Sequence, residues 1–164
     1  MAIGSPQIGR DALAYHFYCP KEFIQKGAVD PIPYSVNALQ PLLIQMLYLQ
    51  GLLFNSEVFS KVYNLGFLLA CAGVMTSAYR FFEPRARGLF AGLLLLTATG
   101  FMAQMPYAYT DIALSFFLFL SFFAMWRYFR EQKTLLLVTS ALFSGIAMAV
   151  KLLAVPFAAT LFLL

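Results

Sequence analysis

Four apolar runs dominate the chain: Val62 to Phe82, Gly88 to Met105, Ala108 to Trp126 and Thr134 to Val150. Each is near the ~20 residues that a helix needs to cross a bilayer. A fifth, Leu152 to Leu164, ends inside apolar residues with no polar flank, so the chain is expected to be truncated at its C-terminus. Polar breaks separate the runs, one at Glu83-Pro84-Arg85-Ala86-Arg87 and one at Met105-Pro106-Tyr107. The pattern predicts an all-α protein, a polytopic transmembrane helical bundle. Residues 58–164 would form about four spans and a cut-off fifth, and residues 1–57 a long external loop with juxtamembrane helices.

The run from Pro41 to Phe54 is apolar apart from Gln45 and Gln50. As a helix it would reach only ~21 Å against a hydrocarbon core of ~30 Å. Its length favours an interfacial or re-entrant placement, which leaves residues 1–54 on the side of Asp111; a spanning run would send Asp11 to the other side. Gln40, Gln45 and Gln50 do not share one helical face, so no clean amphipathic helix is expected.

Composition agrees with lipid as solvent: 62% of the 164 residues are apolar, 11% are charged and the mean hydropathy is +0.78. The first thirty residues carry Arg10, Asp11, Lys21, Glu22, Lys26 and Asp30 and contain neither a secretory apolar core nor an anchor. The net charge of +4 is spread over membrane-flanking loops and forms no single stripe, which argues against a nucleic-acid partner. Cys19 in the polar segment and Cys71 deep in an apolar run are not expected to pair.

Charge also sets the sides. Arg80, Arg85 and Arg87 flank one loop and Arg127, Arg130 and Lys133 flank another, with two spans between them, so both loops share a face. By the positive-inside rule that face is cytoplasmic. The Pro106 to Asp111 turn and Asn55-Ser56-Glu57 then lie outside, and Trp126, Tyr128, Tyr107 and Tyr109 fit interfacial belts. The expected location is the plasma (inner) membrane of a prokaryote, with the functional face outward.

Three groups on that outer face could carry chemistry. Asp111, at the edge of an apolar run, must be hydrated, paired or bound to a cation; alternatively it complements a helix dipole, with Thr110 as cap. Lys151 separates two apolar runs and is either a snorkelling lysine or a point countercharge for a phosphate. Asp11, Tyr15 and His16 form a third group, in which a helix would put Asp11 and Tyr15 on one face; the bland reading is a solvated acid and an ordinary histidine. No glycine-rich phosphate loop, zinc spacing or Ser/His/Asp order is present.

In order along the chain, these residues resemble the N-terminal half of a GT-C-type membrane glycosyltransferase, the superfamily of protein O-mannosyltransferases and aminoarabinose transferases. Asp11-Ala-Leu-Ala-Tyr-His-Phe-Tyr-Cys-Pro-Lys-Glu is similar to the family's first external loop, with Ala12 where many members continue an Asp-Glu pair. Gln40-Pro-Leu-Leu-Ile-Gln-Met-Leu-Tyr resembles its juxtamembrane helix. Tyr109-Thr-Asp-Ile-Ala-Leu-Ser-Phe-Phe resembles the acidic opening of a later span, and Gly145-Ile-Ala-Met-Ala-Val-Lys a helix end closed by lysine.

The resemblance implies transfer of a sugar from a polyprenyl-phosphate carrier to an acceptor glycan, lipid or protein at the extracytoplasmic surface. It implies Asp11 as general base, Asp111 as a second catalytic acid orienting the acceptor, and Lys151 as countercharge to the carrier phosphate. His16 and Tyr15 become contacts to carrier or sugar. A divalent cation held by Asp11 and Asp111 is a further expectation. The family's first transmembrane helix and its distal helices are not in the chain, which implies an inactive fragment of a longer product. The competing expectation is a non-enzymatic polytopic protein, a transporter or assembly subunit, in which Asp111 and Lys151 line a polar path near the bilayer midplane beside broken helices.

Overall fold

The computed structural model describes residues 9–33, 38, 40–83 and 88–163, apart from the Tyr15 side chain. The described residues are all-helical and contain no strand. A π-turn, Ala12–His16, leads into α1, Tyr18–Lys26. Then follow α2, Leu43–Leu53, and the longest helix, α3, Val58–Phe82. The chain continues through α4, Leu89–Thr97, and α5, Thr99–Gln104, to α6, Asp111–Glu131, α7, Thr134–Val150, and α8, Ala154–Leu163.

Two helices, α3 and α6, are long and apolar enough to cross a membrane. Only 33% of the apolar window of each is buried within the fold. Outward rows on neighbouring helices are equally apolar, with Leu135, Val138 and Leu142 on α7 and Leu89, Phe90, Leu93 and Leu94 on α4 all exposed. Such faces suit a lipid solvent.

Helix α7 spans the residues that the sequence predicted, and α3 begins one turn earlier than its apolar run, taking in Ser60 and Lys61. The run from Gly88 to Met105 differs from expectation: it breaks at Ala98, whose backbone is extended (φ −64°, ψ 120°). Thr97 Oγ1 donates to the Leu94 carbonyl at 3.0 Å, the back-bonding by which a threonine competes with the helix ladder. The basic positions Arg85 and Arg87 lie outside the described residues.

Neighbouring long helices alternate in direction. Helix α3 packs against α4 so closely that a Cβ on Gly92 would stand 2.7 Å from the Ala72 carbonyl oxygen and would also collide with Thr76 Oγ1. Helices α6 and α7 make the most extensive contact of the fold. A serine seam joins them: Ser121 Oγ lies 2.7 Å from Ser144 Oγ and 2.9 Å from the Ser140 carbonyl, and Ser140 Oγ donates to the Ser121 carbonyl at 2.9 Å. At one end of the molecule Phe82 meets Trp126 and the Arg127 guanidinium lies over the Phe81 ring, 5.5 Å from its centroid. The opposite end holds the π-turn, α1, α2, the start of α3 and α6, and the end of α7.

At that opposite end a continuous core ties the pieces together: Ala12 and Phe17 from the π-turn region, Ile44 and Tyr48 from α2, Ala108, Ala113 and Leu114 around the start of α6, and Ala147, Val150 and Ala154. Helix α2, at 11 residues, reaches about 16 Å and is too short to cross a bilayer. It packs on α1 and α3. Cys19 and Cys71 are both buried and unpaired with each other.

Candidate functional site

Asp111 is the first residue of α6 and Lys151 the residue that closes α7, 40 positions later. Because α6 and α7 run antiparallel, these two helix ends meet, and Lys151 Nζ lies 2.8 Å from Asp111 Oδ1. The ammonium is 27% exposed and the carboxylate 40%, so the pair sits in the mouth of the site and keeps access to solvent. Thr110 occupies the N-cap position but its side chain makes no capping hydrogen bond. The predicted threonine cap is therefore not formed. Lys151 is more than a snorkelling end group: its backbone is extended (φ −159°, ψ 133°) at the break between α7 and α8, which directs it back onto the carboxylate.

His16 ends the π-turn and is buried, 2% exposed. Such turns recur at functional positions because they re-aim side chains out of the α-helical spacing. Its Nδ1 lies 3.0 Å from Gln45 Nε2 on α2, and its ring stands 6.3 Å, centroid to centroid, from that of Tyr109. Burial, reinforced by the Lys151 charge and partly opposed by that of Asp111, lowers its pKa to about 4. The imidazole is therefore neutral at physiological pH.

Asp11 is exposed at the start of the π-turn. Just before it the backbone of Gly9 runs against the Tyr107 and Tyr109 rings; a Cβ there would fall 2.9 Å from Tyr107 Cδ1 and 3.1 Å from Tyr109 Oη. Partial desolvation raises the Tyr109 pKa, and the charges of Asp11 and Asp111 raise it further. Both predicted acids thus act on one phenol and belong to one end of the molecule. The Tyr15 side chain lies outside the described residues.

Beneath these groups is a polar floor that sequence reasoning did not reach. Tyr48 of α2 is buried, and its hydroxyl stands 2.9 Å from the Tyr109 carbonyl and 3.2 Å from Asn64 Oδ1, one proton between two acceptors. Asn64 Nδ2 donates to the Tyr107 carbonyl. Burial pushes the Tyr48 phenol up, with a further contribution from Asp111. Lys61, one turn before Asn64 on α3, is 1% exposed. Tyr48 and Asn64 fasten the Tyr107–Asp111 loop. Lys21 Nζ, 3.0 Å from Glu57 Oε1, ties α1 to the start of α3.

Among the described residues no three His, Cys, Asp or Glu side chains form a group suited to a metal, and the Asp111 carboxylate faces an ammonium. What the site offers is an accessible carboxylate, an ion pair across two helix ends and a buried neutral imidazole. Comparison of the chain with known protein families, with curated proteins and with solved structures finds no match in any of the three.

Proposed function

We propose that this chain is part of a polytopic membrane glycosyltransferase of the GT-C type, which moves a sugar from a polyprenyl-phosphate carrier to an acceptor hydroxyl or amine at the extracytoplasmic face. The observation that carries the reading is the convergence of Asp11, His16, Asp111 and Lys151, from three separate stretches of sequence, on one end of the helices. The basic residues Arg80, Arg127, Arg130 and Lys133 lie toward the other end, which the positive-inside rule assigns to the cytoplasm.

Each group has a task in such a transfer. Asp11, exposed at the start of the π-turn, takes the proton of the acceptor as its heteroatom attacks the anomeric carbon. The bond from that carbon to the phosphate oxygen breaks, and the polyprenyl phosphate leaves with the electron pair. Lys151 neutralises the negative charge that develops on the leaving oxygen. Asp111 holds Lys151 in place before the carrier arrives, and once the phosphate draws the ammonium away its carboxylate is available to orient the acceptor. No step requires a metal ion.

The competing reading, a transporter or assembly subunit, draws on the break in the α4–α5 helix. That break is flanked by Thr97 and Thr99 and carries no charge, whereas Asp111 and Lys151 occupy helix ends. Helix-end charges suit a surface site better than a midplane path.

Binding of the carrier tests the reading. The full-length protein in nanodiscs is expected to bind a polyprenyl monophosphate and not the corresponding neutral polyprenol. Lys151→Gln is expected to weaken that binding about 10-fold, the loss of one charge-assisted contact. Equal binding of phosphate and alcohol, or an unaffected Lys151→Gln, would contradict the assignment.

A further inference from the structure

We propose that Gln45 is a positioning residue that fixes His16 as the neutral tautomer protonated on Nε2, leaving Asp111 to Lys151 alone of these two bases. The first support is geometric. Gln45 Nε2 stands 3.0 Å from His16 Nδ1, with both residues buried, at 3% and 2% exposure. An amide N–H pointing at a ring nitrogen requires that nitrogen to be an acceptor, so the ring proton belongs on Nε2.

The second support is the other end of the amide. Gln45 Oε1 is buried and has no hydrogen-bond partner among the described residues. Turning the amide over, so that Oε1 accepts from Nδ1–H, would place an NH2 group with two donors where that oxygen now lies. As it stands the amide leaves one carbonyl and one N–H short of a partner, whereas turned over it would leave two N–H donors short, the rarer deficit in folded interiors. The orientation that leaves Oε1 unpartnered is therefore the favoured one, and it dictates the tautomer.

The third is the surroundings. His16 faces the charges of Lys151 and Asp111, with Tyr109 beside it. A protonated ring would repel Lys151 and compete for Asp111. Burial and the Lys151 ammonium keep it neutral, and Gln45 then decides which nitrogen carries the hydrogen. The consequence for sugar transfer rests on the function proposed above: a fixed Nε2–H donor and an undisturbed Asp111–Lys151 pair before the carrier binds.

The chain contains one histidine, so the assignment can be read directly. Full-length protein labelled with 15N-histidine, carrying no histidine tag, is examined by long-range proton–nitrogen correlation near neutral pH. The wild type is expected to show one ring, with Nε2 protonated and Nδ1 bare. Gln45→Glu, whose carboxylate can only accept, is expected to move the proton to Nδ1. Gln45→Met, similar in shape and unable to hydrogen bond, is expected to mix the two forms.

A wild-type ring protonated on Nδ1 would overturn the proposal without recourse to any variant. So would a Gln45→Met spectrum indistinguishable from wild type. A wild type that shows the Nε2–H form yet transfers sugar from no polyprenyl-phosphate donor would uphold the tautomer and defeat the proposed function instead.

Discussion

At the scale of single residues, the behaviour of His16 is the sharpest consequence of the geometry. Its pKa falls from 6.5 in the unfolded chain to about 4 in the fold. Between these values the unfolded state binds more protons, so stability is fully present above about pH 6.5 and is lost as pH falls toward about 4. At ~1.4 kcal/mol per pKa unit the loss is on the order of 3 kcal/mol. Thermal unfolding in detergent, compared between wild type and His16→Gln, checks this: the acid-side decline should shrink in the variant, and equal declines would contradict the burial argument. Lys151 contrasts with it. A partly exposed ion pair contributes at most about 1 kcal/mol, so Lys151→Gln should leave the unfolding temperature nearly unchanged while removing carrier-phosphate affinity.

Residue chemistry was only partly legible in the sequence. Asp111 and Lys151 announce themselves because each interrupts apolar residues, and the cost of leaving such a charge unpaired makes it conspicuous. Gln45, Tyr48 and Asn64 do not. A glutamine in a short apolar run reads as noise until α1, α2 and α3 are assembled, because its partner is 29 positions away on a different element. The one local signal was the i, i+3 spacing of Gln45 and Tyr48, which puts them near one face of α2. That face is the buried one, with Ile44 and Gly51, and it is polar where a soluble amphipathic helix would be apolar.

At the scale of elements, length and apolarity located the helices well, and α7 begins and ends as its apolar run does. They failed at Ala98, since no proline marks the break and two flanking threonines are too few to take a long, leucine-rich window out of the apolar range. Helix pairing joins aromatic contacts, Phe67 on Phe116 and Phe117 and Phe117 on Phe143, with the serine hydroxyls between α6 and α7, and in lipid it is the hydrogen bonds that distinguish protein from solvent. Ser121→Val should therefore weaken the α6–α7 seam, leaving the Ser144 hydroxyl without its Ser121 partner while Ser140 Oγ keeps the Ser121 carbonyl. About 0.6 kcal/mol per interhelical hydrogen bond is the expected scale. Gly92→Ala should cost more, roughly 1–3 kcal/mol, because the new methyl meets the Ala72 carbonyl, which belongs to backbone and cannot swing aside. Unfolding of both variants in the same detergent ranks them; Ser121→Val costing more than Gly92→Ala would contradict the packing account.

At the scale of the whole molecule, alternation of helix direction is what turns a linear sequence into a two-ended object. Charge counting put Asp111 and Lys151 on one side, and Asp11 with them only if the Pro41 to Phe54 run does not cross; in the fold the three lie at one end of the helices. The sides themselves are testable. Cysteines at Ala14 and Lys133, both exposed, should be labelled by an impermeant thiol reagent from opposite sides of a sealed membrane, while Cys19 and Cys71 stay protected by burial. Labelling of both new positions from one side would refute the two-ended topology.

The most direct measurement of the central claim is release of polyprenyl phosphate by the full-length protein from polyprenyl-phosphate-linked hexose and pentose donors, followed with wild type and Asp11→Asn side by side. The account predicts release by the wild type and a fall of at least about 100-fold in Asp11→Asn, the scale of a lost general base, with membrane insertion intact. Undiminished release by Asp11→Asn would remove Asp11 from that role, and no release by the wild type from any such donor would contradict the account as a whole.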